Sequence, residues 1–337
     1  MEQPDSETTS PRENEAILDR ALGVLLGQAA GDALGTTVEF QSARSIQARY
    51  PDRLREIVGG GPFGLQPGQI TDDTELALAL ARSLADRGRY DADDVASRYA
   101  GWYRSGPFDV GGTIRRAFSV GRPGDAGLAA AFEAAANPSS QANGSLMRIS
   151  PLGVHGWRLP WPELAALAAR DSRLSHPHPL CQAACAVFTG AIGHAVRTGA
   201  SARQVFDEAL RVAREHPLAA PALEILEAAA DAPPADYQAQ MGWVRIALQN
   251  AFHQLLRCES VEEVIVATAA QGGDSDTNAC IAGALAGAVH GARPLPERWT
   301  RTILSCRTRR PAEYWCGDLP ELARRLCFPG ADAGAAR

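Results

Sequence analysis

Two short stretches of the chain concentrate oxygen-bearing side chains. Thr71-Asp72-Asp73-Thr74-Glu75 stands before the apolar run Leu76-Ala77-Leu78-Ala79-Leu80, and Gly272-Gly273-Asp274-Ser275-Asp276-Thr277 opens a longer apolar segment. Asp and Thr are favoured helix N-caps, each worth about 1 kcal/mol, so capping is one account of both. A cap uses a single such residue, whereas each stretch spends three within four positions. If the stretches face each other, Asp72, Asp73, Asp274 and Asp276 crowd one place. Two like charges ~5 Å apart repel by about 3 kcal/mol at an effective dielectric near 20. Four carboxylates make six pairs, on the order of 10 kcal/mol or more against a domain stability of ~5–15 kcal/mol. Such a cluster must be protonated or must hold cations. Oxygen-only ligation suits Mg²⁺ or Mn²⁺ rather than zinc. Two such ions would orient a diol and a water. The residues alone leave open whether the stretches meet.

The elements that must position these groups read as helices. From Ile17, apolar residues recur at three and four: Leu18, Ala21, Leu22, Leu25, Leu26. The period returns in 74–87, 91–104, 161–171, 180–197, 202–214, 221–230, 241–257, 261–269, 277–290 and 319–327, with loops rich in Gly, Pro and Asn between them. Alternating β-branched runs are almost missing. The expectation is an all-α fold of roughly a dozen helices. Residues 1–16 read as a flexible N-terminal tail, 17–329 as a single compact domain, and 330–337 as a C-terminal tail. Within 277–290, Ala279, Gly283, Gly287 and Gly291 form a stripe at every fourth position that would let another helix backbone approach closely.

Composition closes off several classes of function. The 337 residues contain 33 basic side chains, every one an arginine. Without lysine, Schiff-base chemistry and the lysine-bearing phosphate loop are excluded. The net charge of −6 argues against a dedicated nucleic-acid binder. Seven scattered cysteines, without a CxxC, suggest reduced thiols in a cytoplasmic protein. The acidic N-terminus is neither a signal nor a transit peptide, and no stretch reads as the ~20 apolar residues of a membrane span.

The chain resembles the ADP-ribosylglycohydrolase family, above all its dinitrogenase reductase-activating branch and the bacterial immunity hydrolases that reverse arginine ADP-ribosylation. The resemblance runs from about Ala21 to Trp299. It is carried by GQAAGDALGTTVEF (27–40), GGGPFGLQPGQITDDTELALALARS (59–83), PFDVGGTIRRA (107–117), NGSLMRISPLG (143–153), SHPHPLCQAA (175–184) and QGGDSDTNACIAGALAGAVHG (271–291). It implies an orthogonal helical bundle with a binuclear metal cleft, and two Mg²⁺ or Mn²⁺ ions held by Thr71, Asp72, Asp73, Asp274, Asp276 and Thr277, with Asp276 bridging. It implies catalytic roles for Glu39, near the metals, and for Asp109, facing the scissile ribose, beside Asp276. Substrate contacts are implied for Gly111, Gly112, Asn143, Gly144, Ser145, Met147, His176, Trp243, Gly273 and Ser275. On residue type alone, Asn143-Gly144-Ser145 is a glycine-bearing turn entering a helix, whose free N–H groups suit a pyrophosphate. Trp243 would stack on adenine. Gly112 stands where the nitrogenase-linked branch tends to have Asp, so the protein target stays open.

The implied activity is metal-dependent cleavage of the N-glycosidic bond of ADP-ribosylated protein arginine, releasing ADP-ribose. One alternative is hydrolysis of a serine or O-acetyl-ADP-ribose linkage. Another is an immunity protein that sequesters an ADP-ribosyltransferase toxin through residues 1–16 or a surface loop. A purely structural role is disfavoured because all six ligand positions are filled. Gly59, Gly61 and Gly64 satisfy GxGxxG, but no strand precedes them and Pro62 and Pro67 break the helix that should follow. His176, His178, Cys181 and Cys185 are a weaker zinc constellation, since prolines flank both histidines.

Overall fold

A computed structural model describes residues 10–329. Among these, sixteen α-helices and three short 3₁₀ turns follow one another without a β-strand. The first half comprises α1 (Pro11–Gly35), α2 (Ala43–Arg49), α3 (Asp72–Arg87), α4 (Ala92–Arg104), α5 (Gly112–Phe118), α6 (Leu128–Ala135), α7 (Ser150–His155) and α8 (Trp161–Arg173). The second comprises α9 (Pro179–Thr198), α10 (Ala202–Glu215), α11 (Leu223–Asp231), α12 (Val244–Arg257), α13 (Val261–Ala269), α14 (Ser275–His290), α15 (Glu297–Ser305) and α16 (Leu319–Cys327). One apolar core runs from Ile17 to Cys327.

The all-α expectation holds, with more helices than periodicity showed. Of the additional ones, α2, α5, α6 and α7 have six to eight residues, too short for a 3.6-residue period to stand out, while α15 has nine, the length of α11, α13 and α16, whose period does stand out. Helix α1 starts at Pro11 rather than Ile17, because Ser10 and Glu13 close a capping box ahead of the apolar stripe. Residues 1–9 and 330–337, parts of the expected tails, lie outside the described residues. Helix α12 starts at Val244 rather than 241. Gly242 accepts from Asn143 N and Val244 N donates to the Gln141 carbonyl, which draws this segment into a loop. Helix α9 is long and apolar enough, by length and composition, to cross a bilayer. Most of it is buried, with Cys181, Cys185, Phe188 and Ile192 at 0% exposure, so it serves as a core helix.

The glycine stripe of α14 meets a matching one on α1. A Cβ on Gly27 would stand 2.2 Å from the Gly283 carbonyl oxygen, on Gly31 2.0 Å from that of Ala279, and on Gly35 2.4 Å from that of Ser275. In return, a Cβ on Gly287 would stand 2.0 Å from the Gly23 oxygen. The pairs 23/287, 27/283, 31/279 and 35/275 define an antiparallel contact of backbone on backbone. Each mid-helix glycine costs about 0.5–1 kcal/mol against alanine, which the close approach offsets through dispersion. The consequence is positional: the C-terminal end of α1 lies against the N-terminal end of α14.

Candidate metal centre

That junction builds the site. Asp32, near the end of α1, is fully buried and accepts from Thr71 N (3.0 Å) and Thr74 N (3.1 Å), with Thr71 Oγ1 also at 3.0 Å. It therefore caps α3 from another helix. Thr71 is the N-cap residue of α3, but its side chain makes no capping bond; its hydroxyl lies between Asp32 and Asp73 Oδ2, 3.0 Å from each. At α14, the N-cap residue Asp274 likewise makes no side-chain capping bond and instead accepts from Asn143 Nδ2 at 2.7 Å. Capping thus does not account for Asp72, Asp73 or Asp274.

The loop before α14 is tied to the segment after α1. Phe40 N donates to the Gly273 carbonyl at 2.8 Å and Gly273 N to the Gln41 carbonyl at 3.0 Å. Gly272 and Gly273 have φ of 70° and 67°, and a Cβ on either would strike a carbonyl oxygen at 2.0 Å. Only glycine permits this loop. It sets Glu39 against α14, and oxygens of Glu39, Asp274 and Asp276 lie within 4.8 Å of one another.

A cavity of about 270 Å³ opens over these groups. Asp72, Asp73, Asp274, Asp276 and Thr277 line it, so residues some two hundred positions apart converge. Glu39, Asp109, Gly111, Gly112, Asn143, Gly144, Met147 and His176 line it as well. Asp109 sits on the loop between α4 and α5. The base of that loop is held by Arg310, which donates to the Ser105 carbonyl (3.0 Å) and hydroxyl (2.8 Å) while pairing with Glu75 of α3 at 2.8 Å.

Other expected contacts lie elsewhere. Thr71 is wholly buried behind the cavity wall. Ser275 donates to the Gly35 carbonyl and Gly273 is spent on the loop pairing. Ser145 is fully buried, its oxygen accepting from Ser172 (3.0 Å) and Cys185 (3.5 Å). The glycine-bearing turn enters no helix: residues 143–148 are successive turns, and α7 begins only at Ser150. Trp243 lines a shallow groove beside the cavity, its Nε1 donating to Gln141 at 2.9 Å. The weaker zinc constellation does not assemble. Cys181 donates to backbone carbonyls, Cys185 to Ser145, and His178 Nδ1 accepts from Leu180 N.

Burial, and then neighbouring carboxylates, pushes Asp72 and Asp73 well above the usual carboxylate range. Asp276 is raised the same way, with Glu39 the foremost of its neighbours. Burial followed by Asp274 and Asp109 raises Glu39 to about 9. Burial dominates the rise at Asp274 and Asp109 and brings Asp32 to about 6. Two oxygens, Glu39 Oε2 and Asp73 Oδ1, are buried without a hydrogen-bond partner among the described residues. Unpaired carboxylate oxygens are costly in such a setting. A hard cation satisfies both conditions at once, so the residues present fit Mg²⁺ or Mn²⁺. Asp32 was not legible as part of this site, although a lone carboxylate beside Gly31 in the apolar run QAAGDALG was the available signal.

The site is thus a carboxylate-lined cavity between helix ends of an all-helical fold, with oxygen donors of the kind that suit hard cations. The family model ADP-ribosylglycohydrolase matches residues 13–331, and the chain belongs to that family. It is 35% identical over 288 residues to the ADP-ribosyl-[dinitrogen reductase] glycohydrolase of Rhodospirillum rubrum, covering 84% of this chain and 90% of that one. It is 30% identical over 322 residues to the ADP-ribosylarginine hydrolase Tri1 of Pseudomonas putida strain GB-1, covering 93% and 79%. A solved structure described as an ADP-ribosylglycohydrolase-related protein complex superposes with a TM-score of 0.76 at 32% identity, over 93% of this chain and 98% of that chain.

Proposed function

We propose that the protein is a metal-dependent ADP-ribosylarginine hydrolase that cleaves the bond between ribose C1″ and the guanidinium and releases ADP-ribose. The observation that carries this reading is the convergence of Asp72, Asp73, Asp274, Asp276 and Thr277 with Glu39 and Asp109 on one cavity. The relative named ADP-ribosylarginine hydrolase Tri1 supports arginine as the modified residue.

The donor set for two Mg²⁺ or Mn²⁺ ions would be Asp72, Asp73, Asp274, Asp276 and Thr277, with Glu39 beside them and Thr71 ordering Asp73 from behind. When bound, such ions would polarise the ribose hydroxyls and return the surrounding carboxyl groups to their ionised form. Glu39, its Oε2 otherwise unpartnered, would take a proton from the attacking water. Asp109, partly exposed on the cavity rim, would hold the guanidinium and favour the positive charge that grows at C1″ in an oxocarbenium-like transition state. Gly111 and Gly112 leave the wall beside Asp109 open, since a Cβ on either would meet no atom within 4 Å.

The test is release of ADP-ribose from an arginine-modified protein with Mg²⁺ or Mn²⁺, and its loss with chelator. Asp276→Ala should abolish turnover, and Glu39→Gln should lower kcat by roughly 10²–10⁴. Cleavage of serine-linked or O-acetyl-ADP-ribose alone would transfer the assignment to those linkages. Inactivity on all three would end it.

A further inference from the structure

Behind the cavity wall runs a buried chain of polar groups that the proposed reaction does not use. Arg148 and Asp171, both 0% exposed, form an ion pair of 3.1 Å between Nε and Oδ2. The guanidinium also donates to the Asp171 carbonyl (2.9 Å), the Gly144 carbonyl (3.1 Å) and Ser175 Oγ (2.7 Å). Tyr99 donates to the other Asp171 oxygen at 3.0 Å, and the rings of Tyr99 and Phe118 flank the guanidinium carbon at 4.8 and 5.5 Å. Ser175 Oγ lies 2.8 Å from His176 Nδ1. His176 is 1% exposed and lines the cavity, and its Nε2 has no partner among the described residues.

Counting protons decides the state of this imidazole. A guanidinium can only donate, so Ser175 Oγ is an acceptor toward Arg148. The hydroxyl has one proton of its own, and His176 Nδ1 is its single remaining neighbour of suitable kind. Were Nδ1 protonated, it would donate to the second lone pair of Ser175 Oγ, and the serine proton would lie buried without an acceptor. The serine therefore donates to Nδ1, which leaves the ring proton on Nε2. Burial and the adjacent Arg148 charge push the imidazole down to about 3, so it takes up no second proton near neutrality. Gly144 keeps the ring edge uncovered, because a Cβ there would stand 2.9 Å from Cε1 and 3.2 Å from Nε2.

We propose that Asp171, Arg148 and Ser175 fix His176 as the neutral Nε2–H tautomer, so that the cavity wall presents one uncharged hydrogen-bond donor to an acceptor oxygen of the ligand. Ser175 is the positioning residue: it touches no ligand and acts through the ring. The assignment of the acceptor to an ADP-ribosyl group rests on the proposed function; the tautomer does not. An imidazolium here would be drawn to the carboxylates that share the cavity. A neutral N–H reads an oxygen lone pair without competing with the cations for them.

Nitrogen-15 spectra of the full chain labelled at histidine provide the test, with the His176 signals assigned by their loss in His176→Gln. At pH 7, Nε2 should appear protonated and Nδ1 unprotonated. A protonated Nδ1 in the wild-type protein, whether in the other tautomer or in an imidazolium, would overturn the proposal. Ser175→Ala should mix the two tautomers and weaken ADP-ribose binding about tenfold, while Ser175→Thr should recover both. An unchanged spectrum in Ser175→Ala removes Ser175 from the role. Failure of the wild-type protein to bind ADP-ribose would instead count against the proposed function and leave the spectrum standing.

Discussion

Asp32 shows how a residue without a catalytic role can govern the site. Its two oxygens take two of the free N–H groups at the start of α3, those of Thr71 and Thr74, and Thr71 Oγ1 lies against the same carboxylate. The side chains of Asp72 and Asp73 are thereby released from capping and left to face the cavity. An amide at this position keeps one acceptor oxygen and replaces the other with a donor that faces N–H groups. Asp32→Asn should therefore lower stability by about 1–3 kcal/mol, the cost of a buried unsatisfied group. Mn²⁺ affinity should fall as well, because the first turn of α3 loses its fixed register; urea melts and a Mn²⁺ titration followed by electron paramagnetic resonance would check both. At this scale the acidic and threonine residues were legible because three oxygen donors in four positions exceed what a helix start uses. Arg148 and Arg310 were not legible, since they act through partners 23 and 235 positions away and no local pattern marks such pairs, and Asp32 left only its lone carboxylate in an apolar run as a signal.

Among the elements, the contact of α1 with α14 does most to join the two halves of the site. The α14 stripe was visible in sequence because glycine at every fourth position has no other purpose in a helix. Its partner stripe, Gly23, Gly27, Gly31 and Gly35, escaped notice because leucines and alanines dominate the same segment. The pairing predicts a sharp contrast between glycines. Gly27→Ala and Gly283→Ala each place a methyl group 2.2 Å from a backbone oxygen, a collision that no rotamer change relieves. Each should cost about 1–3 kcal/mol or more, as overpacking does, and each should shift the end of α1 away from Asp276 and so depress activity. Gly112→Ala meets open space and should leave stability within ±0.5 kcal/mol, so any effect it has on turnover will report on the substrate. Denaturant melts of the three variants, set beside their kcat/KM values, would separate packing from recognition. Loop geometry was the least legible feature. The turns at 143–148 and the loop before Val244 are fixed by bonds between the two segments, and neither segment carries the other's signature.

Across the whole molecule, the fold gathers like charge at one spot and spreads the rest. Most surface carboxylates are paired with arginines, as in Arg82–Asp318, Arg98–Asp86 and Arg211–Glu208, and such exposed pairs contribute little each. Among the described residues the acidic cavity has no arginine in its wall; Arg148 stands behind it, already committed to Asp171. No cationic side chain among the described residues lines the cavity with Glu39, Asp72, Asp73, Asp274 and Asp276, so the cluster is neutralised by protons or by bound cations. Only the folded chain assembles these groups, so a divalent cation held by them would bind the native state and not the unfolded one, adding RT ln(1 + [M]/Kd) to stability. At a hundredfold excess over Kd this is about 2.7 kcal/mol per ion. With an unfolding entropy of ~2.1 cal/mol/K per residue, a chain of this length gains roughly 1.5 °C per kcal/mol, or about 4 °C for each ion bound. Calorimetry of the full chain should therefore show Tm rising by about 4–8 °C on saturation with Mn²⁺ or Mg²⁺ and returning with chelator. Asp276→Ala removes one of the repelling charges together with a ligand, so its cation-free Tm should stand at or above that of the wild type while its response to cation largely disappears. A wild-type Tm indifferent to divalent ions would mean that the cluster is held together by protons alone, and the binuclear centre would have to be given up.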